Sequence, residues 1–568
     1  MSGTEKDNIF LSSDTNEKNL TKGEKGRRSS SSSTTSREST NIHDVISFTE
    51  TEIGAKDQII TQILSPSGKE VNVTGDVDDA MKLALEAKDL QVTPEEDRKL
   101  LRKIDFYIFP LICLLYAIQF MDKVTNGNAA IMGLRTDLKM HGTEYSWVGS
   151  AFYFGYLGGL FVIPPLLQKS PWFMKSVSII VILWGMVLAC HAAPSVNYAS
   201  FIFLRCLLGF LESAITPSFT ILMCQYWKQD EQFVRICFWF GCNGLGGILS
   251  SSISYGLFIH SASYSMKAWR VLFVITGMMT IFTGLLMLLH IPDNPSKAWF
   301  LNAREKLMVI QRIKSNQQGY GNHHIKKYQI IEAFKDIRTW LYFLFSVCSQ
   351  IPNGGMTNFF SILLNESFKF DTKKSLLMNM PGDGVELGGC PLFGLLCVYF
   401  AYKKFRHFKW LGHSLVWGFI ANNLVIVGTC MLAFADKSKK ARLAGAYIWF
   451  ILPVAFICTL SNISSNTCGY TKKWTVSSIN LMAYCAANIA GPQTFIAKQA
   501  PNYNGAKIAM VVCSCVGSVI LALLYIINVR ENKKRDKVAA ERGPERVVEN
   551  LEFADLTDFE NPHFRYAL

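Results

Sequence analysis

The sequence is short of charge: Asp, Glu, Lys and Arg together make up 18% of 568 residues. A soluble chain of this length would form roughly two to four domains, each needing a charged surface, and the charge here is not spread that way. It gathers in two tails, a central segment and a few short loops. The residue patterns of a catalyst are missing as well. The ten histidines form no H-E-x-x-H, and there is neither a G-x-S-x-G elbow nor a G-x-x-x-x-G-K-S/T loop. No enzyme activity, metal or cofactor is expected, and without an ATP site any transport must draw on an ion gradient. The fifteen cysteines include no C-x-x-C pair and no histidine ligand set near them, so they read as small packing residues. Residues 1–40 are polar and show no cleavable signal.

Long apolar runs fill the space that charge leaves. They lie at approximately 104–121, 145–167, 176–194, 199–225, 236–260, 269–291, 340–364, 376–401, 408–434, 443–466, 475–497 and 506–529. A hydrocarbon layer of roughly 30 Å takes about 20 residues of helix. The fold class expected is therefore an all-α membrane protein with twelve transmembrane helices. The polar segment 292–338 falls after the sixth run, dividing the chain into two six-helix bundles, the signature of a transporter whose halves rock about a central site. The domains expected are a disordered tail over 1–90, a first bundle over 91–291, a central loop over 292–338, a second bundle over 339–530 and a tail over 531–568. Within the first tail, the Ser/Thr run from Ser29 to Ser36 and its lysines offer sites to kinase or ubiquitin machinery.

The net charge of +13 points to the lipid bilayer and not to nucleic acid. Basic residues cluster beside apolar runs, as in Lys403, Lys404, Arg406 and Lys409, or Lys533, Lys534 and Arg535. The loops on the side of the tails are richer in Lys and Arg, which places both termini in the cytoplasm. Thr93-Pro94-Glu95-Glu96 carries a capping box with Pro at the first helical position, and predicts a charged surface helix before the first span.

An ionisable side chain within a membrane helix is a functional candidate by default. Arg205 and Glu212 lie seven residues apart on the fourth span, two turns or roughly 10.5 Å, so they share a face without forming a tight pair. Each is left to meet a substrate, a proton or a neighbouring helix, and Gly209 between them permits a close approach. The first span is expected to end at Phe120-Met121-Asp122-Lys123, where the adjacent charges point about 100° apart. Glu212 and Asp122 are the proton-coupling candidates, and Arg205 and Lys123 the candidates for binding an anion. Gln350, Asn353 and Asn358 on the seventh span and Asn488 on the eleventh are candidate substrate contacts. Gly241-Cys-Asn-Gly244-Leu-Gly246-Gly247 resembles a phosphate loop, but it lies inside an apolar helix and reads as a packing face.

Several segments carry a family resemblance. They include Tyr116 to Lys123 (YAIQFMDK), Met132 to Leu138 (MGLRTDL), Arg205 with Glu212-Ser213, Ile291 to Ala298 (IPDNPSKA), Lys472 to Asn480 (KKWTVSSIN), Ala490 to Phe495 (AGPQTF) and the tail from Asp555 to Tyr566. From about Ile63 onward the chain resembles the allantoate permease group, within the anion:cation symporter branch of the major facilitator superfamily. The resemblance implies the major facilitator fold, a plasma-membrane location and proton symport of small organic anions: allantoate, ureidosuccinate and, in some members, dipeptides. It maps the proton-site acids to Asp122 and Glu212 and the carboxylate-holding cations to Lys123 and Arg205. Two departures stand out. Many relatives have Arg in place of Lys123, and the loop from Gln168 to Lys175 lacks the usual Asp-Arg pair. The same framework also serves carriers of vitamin-like or amino-acid-derived carboxylates, and a nutrient-sensing transporter-receptor is a further reading.

Overall fold

The computed structural model describes residues 92–314, 326–403, 409–435, 437–542, 557–561 and 564–568, together with the backbone of residues 62–64 and 70–72. Strands β1 (Gln62–Leu64) and β2 (Glu70–Asn72) pair antiparallel, with Ile63 opposite Val71, in a unit of their own. The rest of the expected N-terminal tail, with its Ser/Thr run, lies outside the described residues.

Helix formation in the main unit begins at the capping box. Thr93 Oγ1 accepts from the Glu96 backbone N–H at 3.3 Å, and Glu96 Oε2 accepts from the Thr93 N–H at 3.1 Å. The Thr93 N–H and hydroxyl, both donating to Glu96 Oε2, hold the Glu96 carboxyl below its usual range, with help from nearby Arg304. The helix Pro94–Tyr107 leads into the first span, Phe109–Ala129. There follow Glu144–Gln168, Phe173–Cys190, a fourth span in two pieces (Tyr198–Glu212 and Ile215–Tyr226), Gln229–Ile259 and Ala268–His290. Two helices, Ala303–Lys314 and Lys327–Lys335, occupy the central segment. The second half comprises Ile337–Ile362, Thr372–Lys403, Ser414–Phe434, a tenth span over Lys439–Asn466, Tyr470–Gln493 and Asn504–Arg542.

Ten of these helices are long and apolar enough to cross a membrane. The seventh and eleventh spans, 26 and 24 residues long, have the length but not the apolarity. Their polar residues face other helices: Gln350, Asn358, Asn480 and Asn488 are all buried. The lipid-facing surface is apolar, with Phe161, Phe203, Phe282 and Leu289 among its exposed side chains.

The first span runs eight residues beyond its expected end at residue 121 because its polar turn is buried and not looped out. Asn126 Nδ2 donates to Asn358 Oδ1 at 3.2 Å, Asn128 Nδ2 to Ser250 Oγ at 3.2 Å, and Ser361 Oγ to Asn128 Oδ1 at 2.9 Å. Asp122 and Lys123 therefore sit inside a helix and not at its rim. Each half packs through small residues, as helices in lipid must when no water drives them together. Gly209 on the fourth span is the clearest case, since a Cβ there would collide with the Phe152 carbonyl of the second.

The halves meet along the second and eleventh spans and along the fifth and eighth. The glycines of the fifth span do pack closely: Gly244 abuts the Asp383 backbone carbonyl, and Gly247 the Asp383 carboxyl. At the end away from the tails, the halves are joined by Asn126–Asn358, by Arg135 Nη1 to Glu366 Oε1 at 2.8 Å, and by Ser150 Oγ to the Ile489 carbonyl at 2.7 Å.

At the tail end, chain outside the membrane binds each half. Arg312 pairs with Asp97 and reaches Glu231 at 2.5 Å, while Lys103 meets Glu305 at 2.7 Å. In the other half, the buried Lys472 bonds Asp558 at 2.6 Å, Glu332 at 3.0 Å and Asp336 at 3.3 Å. Arg535 donates to the carbonyl of Asp558, Asn462 and Asn466 donate to that of Ala567, and Arg338 stacks on Tyr566 at 3.6 Å. Asp293, from the Ile291 to Ala298 motif, caps the third span by accepting from the Met174 N–H at 2.9 Å.

Gly209→Val forces the second and fourth spans apart. Overpacking of this kind costs about 1–3 kcal/mol, so thermal unfolding of the purified protein should fall by several degrees. Phe203→Val, on the lipid face, should leave it nearly unchanged.

Candidate functional site

The four charges singled out in the sequence form two ion pairs between the first and fourth spans. Lys123 Nζ lies 2.8 Å from Glu212 Oε1, which also accepts from Gln119 Nε2 at 2.7 Å. Arg205 Nη1 lies 3.7 Å from Asp122 Oδ1, and Trp184 Nε1 donates to Asp122 Oδ2 at 2.8 Å. The adjacent residues of the first span thus diverge to different partners, as their 100° separation implies. Partners two turns apart on the fourth span receive them.

The pairs differ in surroundings. Arg205 is buried with its guanidinium against the rings of Phe201 at 5.5 Å and Phe273 at 5.4 Å. Neither it nor Asp122 lines the central cavity. Lys123 does line it, with its ammonium 5.6 Å from the Phe152 ring centre, while Glu212 stands behind Lys123 with no exposure.

The cavity lies between the halves. Its first-half wall carries Tyr116, Gln119, Lys123, Tyr153 and Tyr156, and its second-half wall carries Gln350, Asn353, Asn379, Asp383, Glu386 and Tyr484. About 160 Å³ is open to the centres of water-sized molecules, where one water needs roughly 10–15 Å³. A small organic molecule fits. Of the polar candidates, Gln350 and Asn353 reach the wall, whereas Asn358 and Asn488 do not. Asn488 orients the other two, accepting from Asn353 Nδ2 at 3.2 Å and donating to Gln350 Oε1 at 3.2 Å. Asn358 lies at the junction of the halves beside Asn126.

Sequence reasoning passed over Asp383 and Glu386. Both sit inside the expected eighth span (376–401), and the rule that flagged Glu212 applies equally to them. Both line the cavity and are buried.

Two membrane-embedded helical bundles closing on a shared cavity have the architecture of a transporter. The Major Facilitator Superfamily model matches residues 112–492, and the chain belongs to that family. It is 62% identical over 511 residues to the allantoate permease of Saccharomyces cerevisiae, covering 90% of this chain and 94% of that protein. The thiamine pathway transporter of the same yeast is 33% identical, covering 89% and 93%. Among solved structures, a bacterial homolog of the human lysosomal transporter Spinster, inward-facing and unoccupied, matches with a TM-score of 0.51 at 15% identity. That match covers 74% of this chain and 96% of the other, and shows the shared fold. The protein is a multi-pass membrane transporter of small molecules and not an enzyme.

Removing one partner of a buried ion pair strands the other charge, at a cost of about 3–5 kcal/mol. Arg205→Met should therefore lower the unfolding temperature strongly. Arg205→Met combined with Asp122→Leu should recover a large part of the loss, and a double-mutant cycle on thermal unfolding measures that coupling.

Proposed function

We propose that this protein is a plasma-membrane importer, with both termini cytoplasmic, that couples the uptake of allantoate to protons. Ureidosuccinate and dipeptides are further cargoes, since each joins a carboxylate to N–H groups. The observation that carries this reading is the Lys123–Glu212 pair at the cavity wall, 2.8 Å apart. The likeness to a protein named for allantoate supports the cargo.

While Glu212 is ionised, it occupies the only charge that Lys123 can offer an anion. A proton on Glu212 frees the ammonium to take the cargo's carboxylate, so cation, anion and proton combine into a site of lower net charge. A site so neutralised crosses between its two conformations more readily, and the shift is one of population. Gln350 and Asn353 contact the cargo, with Asn488 and Asn358 holding the wall in place. Asp122 and Arg205 act one layer back, keeping the first and fourth spans in register so that Lys123 and Glu212 stay matched. Lysine presents a compact point charge, which suits a cation that must change partners.

Labelled allantoate uptake in transport-deficient cells tests the reading. Wild-type uptake should saturate, rise at acid pH and collapse with a protonophore. Glu212→Gln should abolish the acid stimulation while keeping exchange of internal for external cargo, and Lys123→Met should lose both. Acid-stimulated uptake by the Glu212→Gln variant at the wild-type level would remove Glu212 from the coupling. No uptake by wild-type protein at the cell surface would overturn allantoate as the cargo.

A further inference from the structure

The eighth span places three acceptors on one face of the cavity. Asn379, Asp383 and Glu386 follow at i, i+4 and i+7, one side of a helix; all three line the cavity and are at most 3% exposed. Asn379 is oriented by its own donors. Its Nδ2 bonds Asn128 Oδ1 at 3.1 Å and Ser361 Oγ at 2.9 Å, which leaves the amide oxygen as the free group. That oxygen has no hydrogen-bond partner among the described residues, and neither has Asp383 Oδ2. Glu386 has one long contact, 3.4 Å from Asn243 Nδ2. Among the described residues, no cation stands within ion-pair distance of either carboxyl. Asp122 and Glu212, by contrast, each have a cation and a neutral donor on the carboxyl.

Buried acceptors left without donors are costly, and a wall that gathers several of them suits a ligand that supplies N–H groups. We infer that Asn379, Asp383 and Glu386 form the subsite that reads the N–H donors of the cargo, a ureido or amide group. Lys123 on the first half takes the carboxylate. This rests on the anion reading above and deepens it: the cavity carries a cation on one half and hydrogen-bond acceptors on the other. A cargo with a carboxylate at one end and N–H groups at the other satisfies both walls and bridges the two halves. A plain carboxylate satisfies one wall and leaves the other stranded. A site built to pair with N–H groups rejects analogues lacking them far more strongly than an apolar pocket rejects a missing methylene.

Binding to the purified full chain in lipid nanodiscs tests this, with allantoate, N-carbamoyl-aspartate (ureidosuccinate) and hexanoate each labelled and titrated on its own. Wild-type protein should bind the two ureido compounds at least tenfold more tightly than hexanoate. Asp383→Asn/Glu386→Gln should weaken them at least tenfold while changing hexanoate less than twofold. Asn379→Ala, a milder change, should weaken ureido binding by a smaller factor in the same direction. Equal loss for all three ligands, or unchanged ureido affinity, overturns the inference. So does a variant that keeps its ligand ranking but loses acid-stimulated uptake, which makes the pair a proton site. Wild-type binding of N-carbamoyl-aspartate without allantoate would overturn allantoate as cargo and uphold the subsite. Wild-type binding of hexanoate as tightly as the ureido compounds would overturn the subsite and leave the anion reading standing.

Discussion

An ionised group in hydrocarbon is tolerated only when paired or turned toward a polar cavity, and the centre of this protein is organised by that cost. Asp122, Lys123, Arg205 and Glu212 lie on two helices that must stand in one rotation and one register for both pairs to form. A helix slipped by one residue would strand at least one charge. The pairs therefore act as a ruler between the first and fourth spans, and the close approach at Gly209 lets the fourth lie flush with the second. Lys123 is the one member of the four that reaches the cavity, so the ruler also presents a cation at a fixed depth.

The seventh and eleventh spans follow the same logic with neutral groups. Their asparagines and glutamines would be poor neighbours for lipid, and they turn inward to bond one another and face the cavity. The apolarity these helices forgo is made up by burial against other helices. Their position on the second-half wall, opposite the cation Lys123 on the first, makes the cavity chemically two-sided.

Much of this was legible in the sequence. Twelve apolar runs and a break after the sixth pointed to the class, and the capping box at Thr93 to the start of the helix Pro94–Tyr107, from local composition alone. The face shared by Arg205 and Glu212 followed from helical period. What local reasoning could not supply was partner choice. Thr125, Asn126 and Asn128 look like loop residues until Asn358, Ser361 and Ser250 are seen against them, and the first span then gains its last two turns. For the same reason Asp122 and Lys123 moved from the rim to the interior. Asp383 and Glu386 were readable, since two carboxyls inside an apolar run are conspicuous.

The ties at the tail end bear on mechanics. In one half Arg312 and Glu305 lace the helix Ala303–Lys314 to the surface helix Pro94–Tyr107 and the start of the fifth span. In the other, residues 557–561 and 564–568 bind the ends of the seventh, tenth, eleventh and twelfth spans. Each half is thus clamped at the same end by chain that spans no membrane, and bends there as little as a bound sheaf. Compliance is left to the seams, the second span against the eleventh and the fifth against the eighth. The glycines that flatten the fifth–eighth seam become its bearings, and a bulky residue placed there would act on the rate of turnover before it acted on affinity.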